Sequence, residues 1–401
     1  MITSDRARAR RARASLLVCL ALSACGGGGN DTSLTAANVQ NVTVGPGPAN
    51  NVNLLFTTVT ICAPGSVSNC QSVDHVLVDT GSTGLRLLSS LVAPSLSLPQ
   101  QTDSAGNPLV ECGQFASGYT WGPVKVADVR LAQELARSAP IQLISDPAFP
   151  AVPASCSAIG PALDTAAALG ANGVLGLSMF EQDCGAVCAQ NIVAGTYYVC
   201  PSSGCRSSQA SLARQLQNPV RLFVSANNNG IIIDLPAVSD PGAASATGSL
   251  IFGVGTQANN GAVNAQVIGV NPNSGTFSTV LNNRTYTNSI VDSGSNALYF
   301  ASNSIPACSS LPDFACPSST LNLSAAVQGT SGNARIVNFR IANAQALFSA
   351  NPTFFAFGNL AGTNADPNRF DWGLPLFFGR RIVIAIEGQD TPGGIGPYVA
   401  F

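Results

Sequence analysis

Histidine and lysine are all but missing from this 401-residue chain, which has one of each, His75 and Lys125. A Ser/His/Asp triad could be built only on His75, which reads more simply as a strand-edge residue, and no histidine-rich metal site can form. Charge is sparse as well, at 9% of residues, and the 13 basic residues beyond position 25 are not clustered. That excludes the basic face a nucleic-acid binder needs. Glycine-rich stretches occur without the lysine and the strand–helix context of a phosphate loop. Helical periodicity is scarce: TSLTAANVQ (Thr32–Gln40) and SQASLARQLQ (Ser208–Gln217) are among the few candidates for short helices. Plentiful instead are Gly, Pro, Ser, Thr and Asn between short β-branched runs, which predicts an all-β protein, and the length suits two lobes.

The first residues read as a targeting segment. Arg6, Arg8, Arg10, Arg11 and Arg13 precede the apolar run ASLLVCLALSA, which is too short to anchor the mature chain across a bilayer. The run ends in LSAC, Leu22–Cys25, which resembles the bacterial lipobox. That resemblance implies a signal peptide over residues 1–24, acyl chains on Cys25, and a lipoprotein held by more than one chain. An ordinary secretory signal cut near Ala24 is the alternative. The following GGGGNDTS suits a flexible tether, drawn here as residues 25–50. With no aspartate directly after Cys25, the sorting rules of such lipoproteins imply the outer membrane, facing the periplasm or the exterior. Loss of residues 1–24 removes five arginines and Asp5, leaving 13 basic and 19 acidic residues and a net charge of about −6.

Ten cysteines remain after Cys19 in the signal and Cys25 at the lipid site, and an even count in an exported chain predicts disulfides. Cys62–Cys70 and Cys308–Cys316 would close short loops, with Cys112–Cys156 as the natural remainder. Cys184, Cys188, Cys200 and Cys205 admit three connectivities, or a zinc site in place of disulfides.

The chain also carries an internal repeat. HVLVDTGSTGL (His75–Leu85) is echoed 213 residues on by SIVDSGSNALYF (Ser289–Phe300), each delivering an aspartate from an apolar run into a Ser/Thr-Gly-Ser turn. Later in each half an apolar pair leads into glycine: ANGVLGLSMF, with Gly176 97 residues after Asp79, and RFDWGLPLFFGR, with Gly373 81 residues after Asp292. The pattern predicts two related lobes, each donating one carboxylate. Two carboxylates held about 3 Å apart cannot both ionise, so they share a proton and supply an acid and a base together. A pair of unrelated Asx turns at strand ends is the plainer reading.

From about residue 50 onward these motifs resemble, in order, the pepsin-like aspartic proteases. VLVDTGSTGL resembles the first catalytic loop, FASGYTWGPVKVADVRL (Phe115–Leu131) the flap hairpin, and GVLGL (Gly173–Leu177) the segment beneath the first loop. TGSLIFGVGT (Thr247–Thr256) is similar to the strand that opens the second lobe, SIVDSGS to the second loop, DWGLPLFFGRRIVIAIE to its threading segment and GPYVAF to the last strand. The resemblance implies a bilobal pepsin-like acid protease fold with its active site in the cleft, an N-terminal lobe over 51–215 and a C-terminal lobe over 216–401. It implies Asp79 and Asp292 as the catalytic dyad. Thr80 and Ser293 would cross-link the two loops through their hydroxyls. Gly81 and Gly294 would let backbone N–H groups approach, and Ser82 and Ser295 would donate to the outer carboxylate oxygens. Phe115, Gly118 and Tyr119 would meet a peptide or protein substrate. No metal or cofactor is required, and a monomer is expected.

The chain departs from that pattern where the family pairs a flap tyrosine with a downstream tryptophan: the aligned positions are Phe115 and Arg86, and Tyr119 or Trp121 would have to serve instead or simply pack the hairpin. No Lys or Arg occurs between Cys25 and Arg86, which rules out a basic plug over the dyad. The expected activity is endopeptidase cleavage. The competing readings are a pepsin-fold lipoprotein that binds peptides or proteins without turnover, and a structural lipoprotein whose match is fortuitous. The lipobox reading is tested by fractionation: wild type should take up labelled fatty acid and sediment with membranes, and Cys25→Ser should do neither. Equal solubility of unlabelled forms would refute it.

Overall fold

Short apolar runs with buried and exposed side chains alternating carry most of the chain into strands. In the computed structural model, residues 36–224, 226–261 and 265–401 are described; the expected signal, Cys25 and the tether as far as residue 35 lie outside them. The fold is all-β. Among the described residues the longest helix is Ala344–Ala350, and no helix is long and apolar enough to cross a membrane.

Eight strands of the first half position the site: β1 Val39–Val44, β2 Leu55–Cys62, β3 Cys70–Asp79, β4 Thr83–Leu88, β5 Leu109–Phe115, β6 Gly118–Leu131, β7 Glu134–Ile144 and β8 Gly173–Leu177. Six of them close on themselves, since β2 pairs with β3, β3 with β8, β8 with β4, β4 with β7, β7 with β6, and β6 again with β2. Closure leaves these strands without a free edge. Every residue of β4 and β8, and the last four of β3, is buried, as suits strands covered on both faces.

The central arrangement recurs in the second half. β3 lies parallel to β8, which runs antiparallel to β4; likewise Arg284–Val291 lies parallel to Phe370–Trp372, which runs antiparallel to Leu298–Phe300. In each case the first strand ends just before or at an aspartate, and the third begins just after its loop. These later strands belong to a seven-stranded sheet with Phe277–Leu281, Leu321–Gln328 and Ala334–Ile341. Val78, Leu85 and Leu175 from one half share a buried cluster with Val291, Leu298 and Trp372 from the other. Each such side chain contributes about 1.5–3 kcal/mol by leaving water.

Three expectations need correction. The tether expected over residues 25–50 ends earlier, because β1 is a paired strand with Val42 and Val44 fully buried; one edge meets β2 and the other meets Ala246–Phe252. The sheet is therefore continuous between the halves, and Ala36–Phe401 form one compact unit. The helix expected to end at Gln40 accordingly gives way to strand from Val39. Within Ser208–Gln217 only a turn of 3-10 helix forms, Leu212–Arg214. Ala210 and Leu216 both enter one buried cluster, and residues six apart on an α-helix would point about 120° away from each other.

The five disulfides are Cys62–Cys70, Cys112–Cys156, Cys184–Cys188, Cys200–Cys205 and Cys308–Cys316. The four clustered cysteines are thereby consumed in two small loops, and the zinc reading falls. Loop length ranks the bridges: Cys112–Cys156 spans 44 residues and Cys184–Cys188 only 4. Chain-entropy scaling makes the first worth about 4 kcal/mol and the second about 2. Urea unfolding of the Cys112→Ala/Cys156→Ala and Cys184→Ala/Cys188→Ala proteins should show that order; equal losses would contradict it.

Candidate active site

The end of β3 and the end of Arg284–Val291 bring Asp79 and Asp292 together. Val76 and Val78 anchor the first strand in the core and Val291 the second, so both loops emerge from buried strands. The loops are stitched reciprocally. Thr80 Oγ1 accepts the Ser293 N–H at 2.9 Å and donates to the Val291 carbonyl at 3.2 Å. Ser293 Oγ accepts the Thr80 N–H at 3.1 Å and donates to the Val78 carbonyl at 2.7 Å. Both hydroxyls are buried and each uses its donor and an acceptor site. Such bonds contribute about 1 kcal/mol apiece, and orphaning a partner costs about 1–3 kcal/mol.

Each carboxylate is held in the same way. Asp79 Oδ1 accepts the Gly81 N–H at 2.8 Å and its Oδ2 the Ser82 hydroxyl at 2.5 Å. Asp292 Oδ1 accepts the Gly294 N–H at 2.8 Å and its Oδ2 the Ser295 hydroxyl at 2.8 Å. The glycines are obligatory because the loops face each other. A Cβ on Gly81 would lie 2.8 Å from Asp292 Oδ1, and one on Gly294 would lie 2.6 Å from Asp79 Oδ1. Asp79 is 6% exposed. Burial, then the Asp292 charge, pushes its pKa to about 7; a direct hydrogen bond with Asp292 adds to the rise, while Ser82 and Gly81 oppose it. Below that pH the pair retains a proton, which makes one acid and one base available in the same place.

Beside the first loop opens a cavity of about 400 Å³, bounded by Gly81, Ser82, Arg86, Glu111, Gln114 and Asp183 among others. Its wall holds a buried ionic cluster. Arg86, 4% exposed, reaches Glu111 Oε1 through Nη2 at 2.5 Å and through Nε at 3.2 Å, approaches Asp183 at 3.7 Å, and donates from Nη1 to the Thr83 carbonyl. Burial disfavours the Arg86 charge, but Glu111 and Asp183 outweigh it and hold its pKa above the ordinary value. Burial and then Glu111 push Asp183 well above the carboxylate range, against the pull of Arg86 and the Tyr197 hydroxyl. Sequence reasoning missed this cluster. The clue was Arg86 itself, the first basic residue after Arg13, set in an apolar strand where its charge requires buried partners.

Phe115, Gly118 and Tyr119 lie at the turn of the β5–β6 hairpin. Phe115 lies 5.5 Å from the Arg86 guanidinium, so the two aligned positions do meet, as a cation over a ring. Phe115, Gly118 and Tyr119 do not line the cavity; Glu111, Gly113 and Gln114 of β5 do. The Tyr119 N–H donates to the Pro161 carbonyl and its own carbonyl accepts from Leu163, while Cys112–Cys156 ties the hairpin to the chain just before them. Trp121 is spent on packing, edge-on to Tyr198 and donating to the Phe149 carbonyl at 2.9 Å. His75 lies within β3, half-exposed against Asp74 and Phe56, away from these bonds. Among the described residues no group of three or more His, Cys, Asp or Glu is arranged to hold a metal.

No curated protein matches the chain. A family model described as "Protein of unknown function (DUF3443)" matches residues 34–401, and so takes in both aspartate loops, both threading strands and all five disulfides. The chain belongs to the DUF3443 family.

Proposed function

We propose that this protein is an aspartic endopeptidase of the bilobal pepsin-like fold, carried as a lipoprotein on the bacterial outer membrane through Cys25. The observation that carries the reading is the facing pair of Asp79 and Asp292, each on a loop locked to the other by a buried hydroxyl. On this reading the lobes are the closed barrel of the first half and the seven-stranded sheet of the second, with an extended peptide between them. A water between the two carboxyls gives a proton to Asp292 as it attacks the peptide carbonyl, and Asp79 gives its proton to the carbonyl oxygen. The resulting diol returns a proton to Asp79 while Asp292 protonates the departing nitrogen, so the pair ends as it began. Neither metal nor covalent intermediate enters this scheme.

A second reading, peptide binding without turnover, is favoured by one observation. The hairpin tip is pinned through Tyr119 to Pro161 and Leu163, which opposes its closing over a substrate.

Hydrolysis of a denatured protein mixture should follow a bell-shaped pH profile whose alkaline limb falls near pH 7, where Asp79 loses its proton. Asp79→Asn and Asp292→Asn should each lower kcat by at least about 10²–10⁴-fold. A statine-type hydroxyl compound should inhibit competitively. Stability supplies an independent check. A raised carboxyl pKa stabilises the fold fully below the unfolded value near 4, and that stabilisation is lost as pH climbs through 7. The Tm of Asp79→Asn relative to wild type should therefore rise between pH 4 and 7. Binding of extended peptides without cleavage at any pH would favour the second reading; neither binding nor cleavage would defeat both.

A further inference from the structure

Ser295 poses a problem of hydrogen counting. Its Oγ lies 2.8 Å from Asp292 Oδ2 and 2.7 Å from Asp371 Oδ2. A hydroxyl has one proton to donate. It can satisfy one carboxylate oxygen, and the other contact at that distance requires a proton on the carboxyl. One of the two acids therefore donates to the serine oxygen.

The surroundings decide which. Asp371 is 7% exposed, and its Oδ1 is buried with no hydrogen-bond partner. If it were ionised, an anionic oxygen would be stranded away from water. Asp292, by contrast, receives the Gly294 N–H on its other oxygen. Directly across from Asp371 on Leu298–Phe300 lies Tyr299, but its hydroxyl donates to Asn296 Oδ1 at 2.5 Å. The neighbour on the other side is apolar Ile290. Burial and the charges of Asp292 and Asp79 oppose ionisation of Asp371, while Ser295 and Arg369 favour it; the balance sets its pKa well above the carboxylate range.

We propose that Asp371 is a positioning residue that stays protonated through neutral pH: its O–H donates to Ser295, which commits the serine proton to Asp292 and makes Asp292 the partner that rests ionised. The proton on Asp371 is independent of any activity; its consequence for base and acid roles rests on the protease reading. The first half has no counterpart. Asp371 stands two residues before Gly373, and the residue two before Gly176 is Val174, buried and apolar. Ser82 accordingly serves Asp79 unaided, and the two otherwise matching loops are made unequal by this single side chain.

The test needs no substrate. Protein labelled with ¹³C at the aspartate carboxyls is titrated by NMR from pH 4 to 8, as wild type, Asp371→Asn and Asp371→Val. One resonance still in the protonated position at pH 7 should vanish in Asp371→Asn. The Asn amide can still donate to Ser295, so the titration of the aspartate pair near pH 7 should stay where it is in wild type. In Asp371→Val, which installs the first half's residue, it should move upward by about half to one pH unit. Ser295→Ala should shift it in the same direction, and serves if the valine variant does not fold. Loss of an ionised rather than a protonated resonance in Asp371→Asn would overturn the proposal, as would identical titrations of the aspartate pair in all the proteins. Lack of hydrolysis by wild type would count against the protease reading alone.

Discussion

The hydroxyls of Thr80 and Ser293 are the contact on which the rest of the site depends. Each belongs to one aspartate loop and is satisfied wholly by the other's backbone. Neither loop can shift without orphaning two buried polar groups, and such groups are costly in proportion to their isolation from water. This mutual dependence holds two carboxyls against each other despite their repulsion. The strands behind them are what make it rigid. The last four residues of β3 are buried, and Gly81 and Gly294 leave no room for a side chain between the loops.

Around this symmetric centre the molecule is asymmetric. The first half presents a cavity walled by Arg86, Glu111 and Asp183, in which one guanidinium balances two acids in near-complete burial. The second half places a third acid, Asp371, behind Ser295. Arg86 and Asp371 are polar residues where strand sequences normally supply apolar ones; Arg86 directly follows the first repeated motif and Asp371 lies two residues before Gly373. The repeat gives the two carboxyls a common geometry, and these additions give them different surroundings.

Much of this was legible in the residues. An aspartate following an apolar run is anomalous enough to mark a site, and its recurrence with a Ser/Thr-Gly-Ser turn identified both loops and the serines that serve them. Cysteines eight apart announced two of the disulfides. The four clustered cysteines could not be paired, because connectivity depends on where Tyr197–Val199 and the helix Ala186–Gln190 bring them. β1 reads as tether in the sequence because VQNVTV is short and half polar, and its burial depends on a partner strand beginning at Ala246. Glu111 and Asp183 are 25 and 97 residues from Arg86, with no periodicity linking them. Asp371 was visible as a mismatch with Val174 in the aligned threading segments, but its meaning lay in the two contacts of Ser295.

The position of β1 also bears on how the chain reaches this state. Val39 pairs with Ile251, Gln40 with Leu250 and Val44 with Ala246, while the same strand meets β2 on its other edge. An early strand is thus completed only by residues made some two hundred positions later, a loop closure whose entropy must be met before the contact stabilises anything. Such high contact order slows folding and leaves strand edges unpaired in the meantime. As the chain is made from the N-terminus onward, this sheet cannot be finished until Phe252 has been added. The first barrel can close on its own strands, but the outer edge of β1 must wait for the second half to arrive.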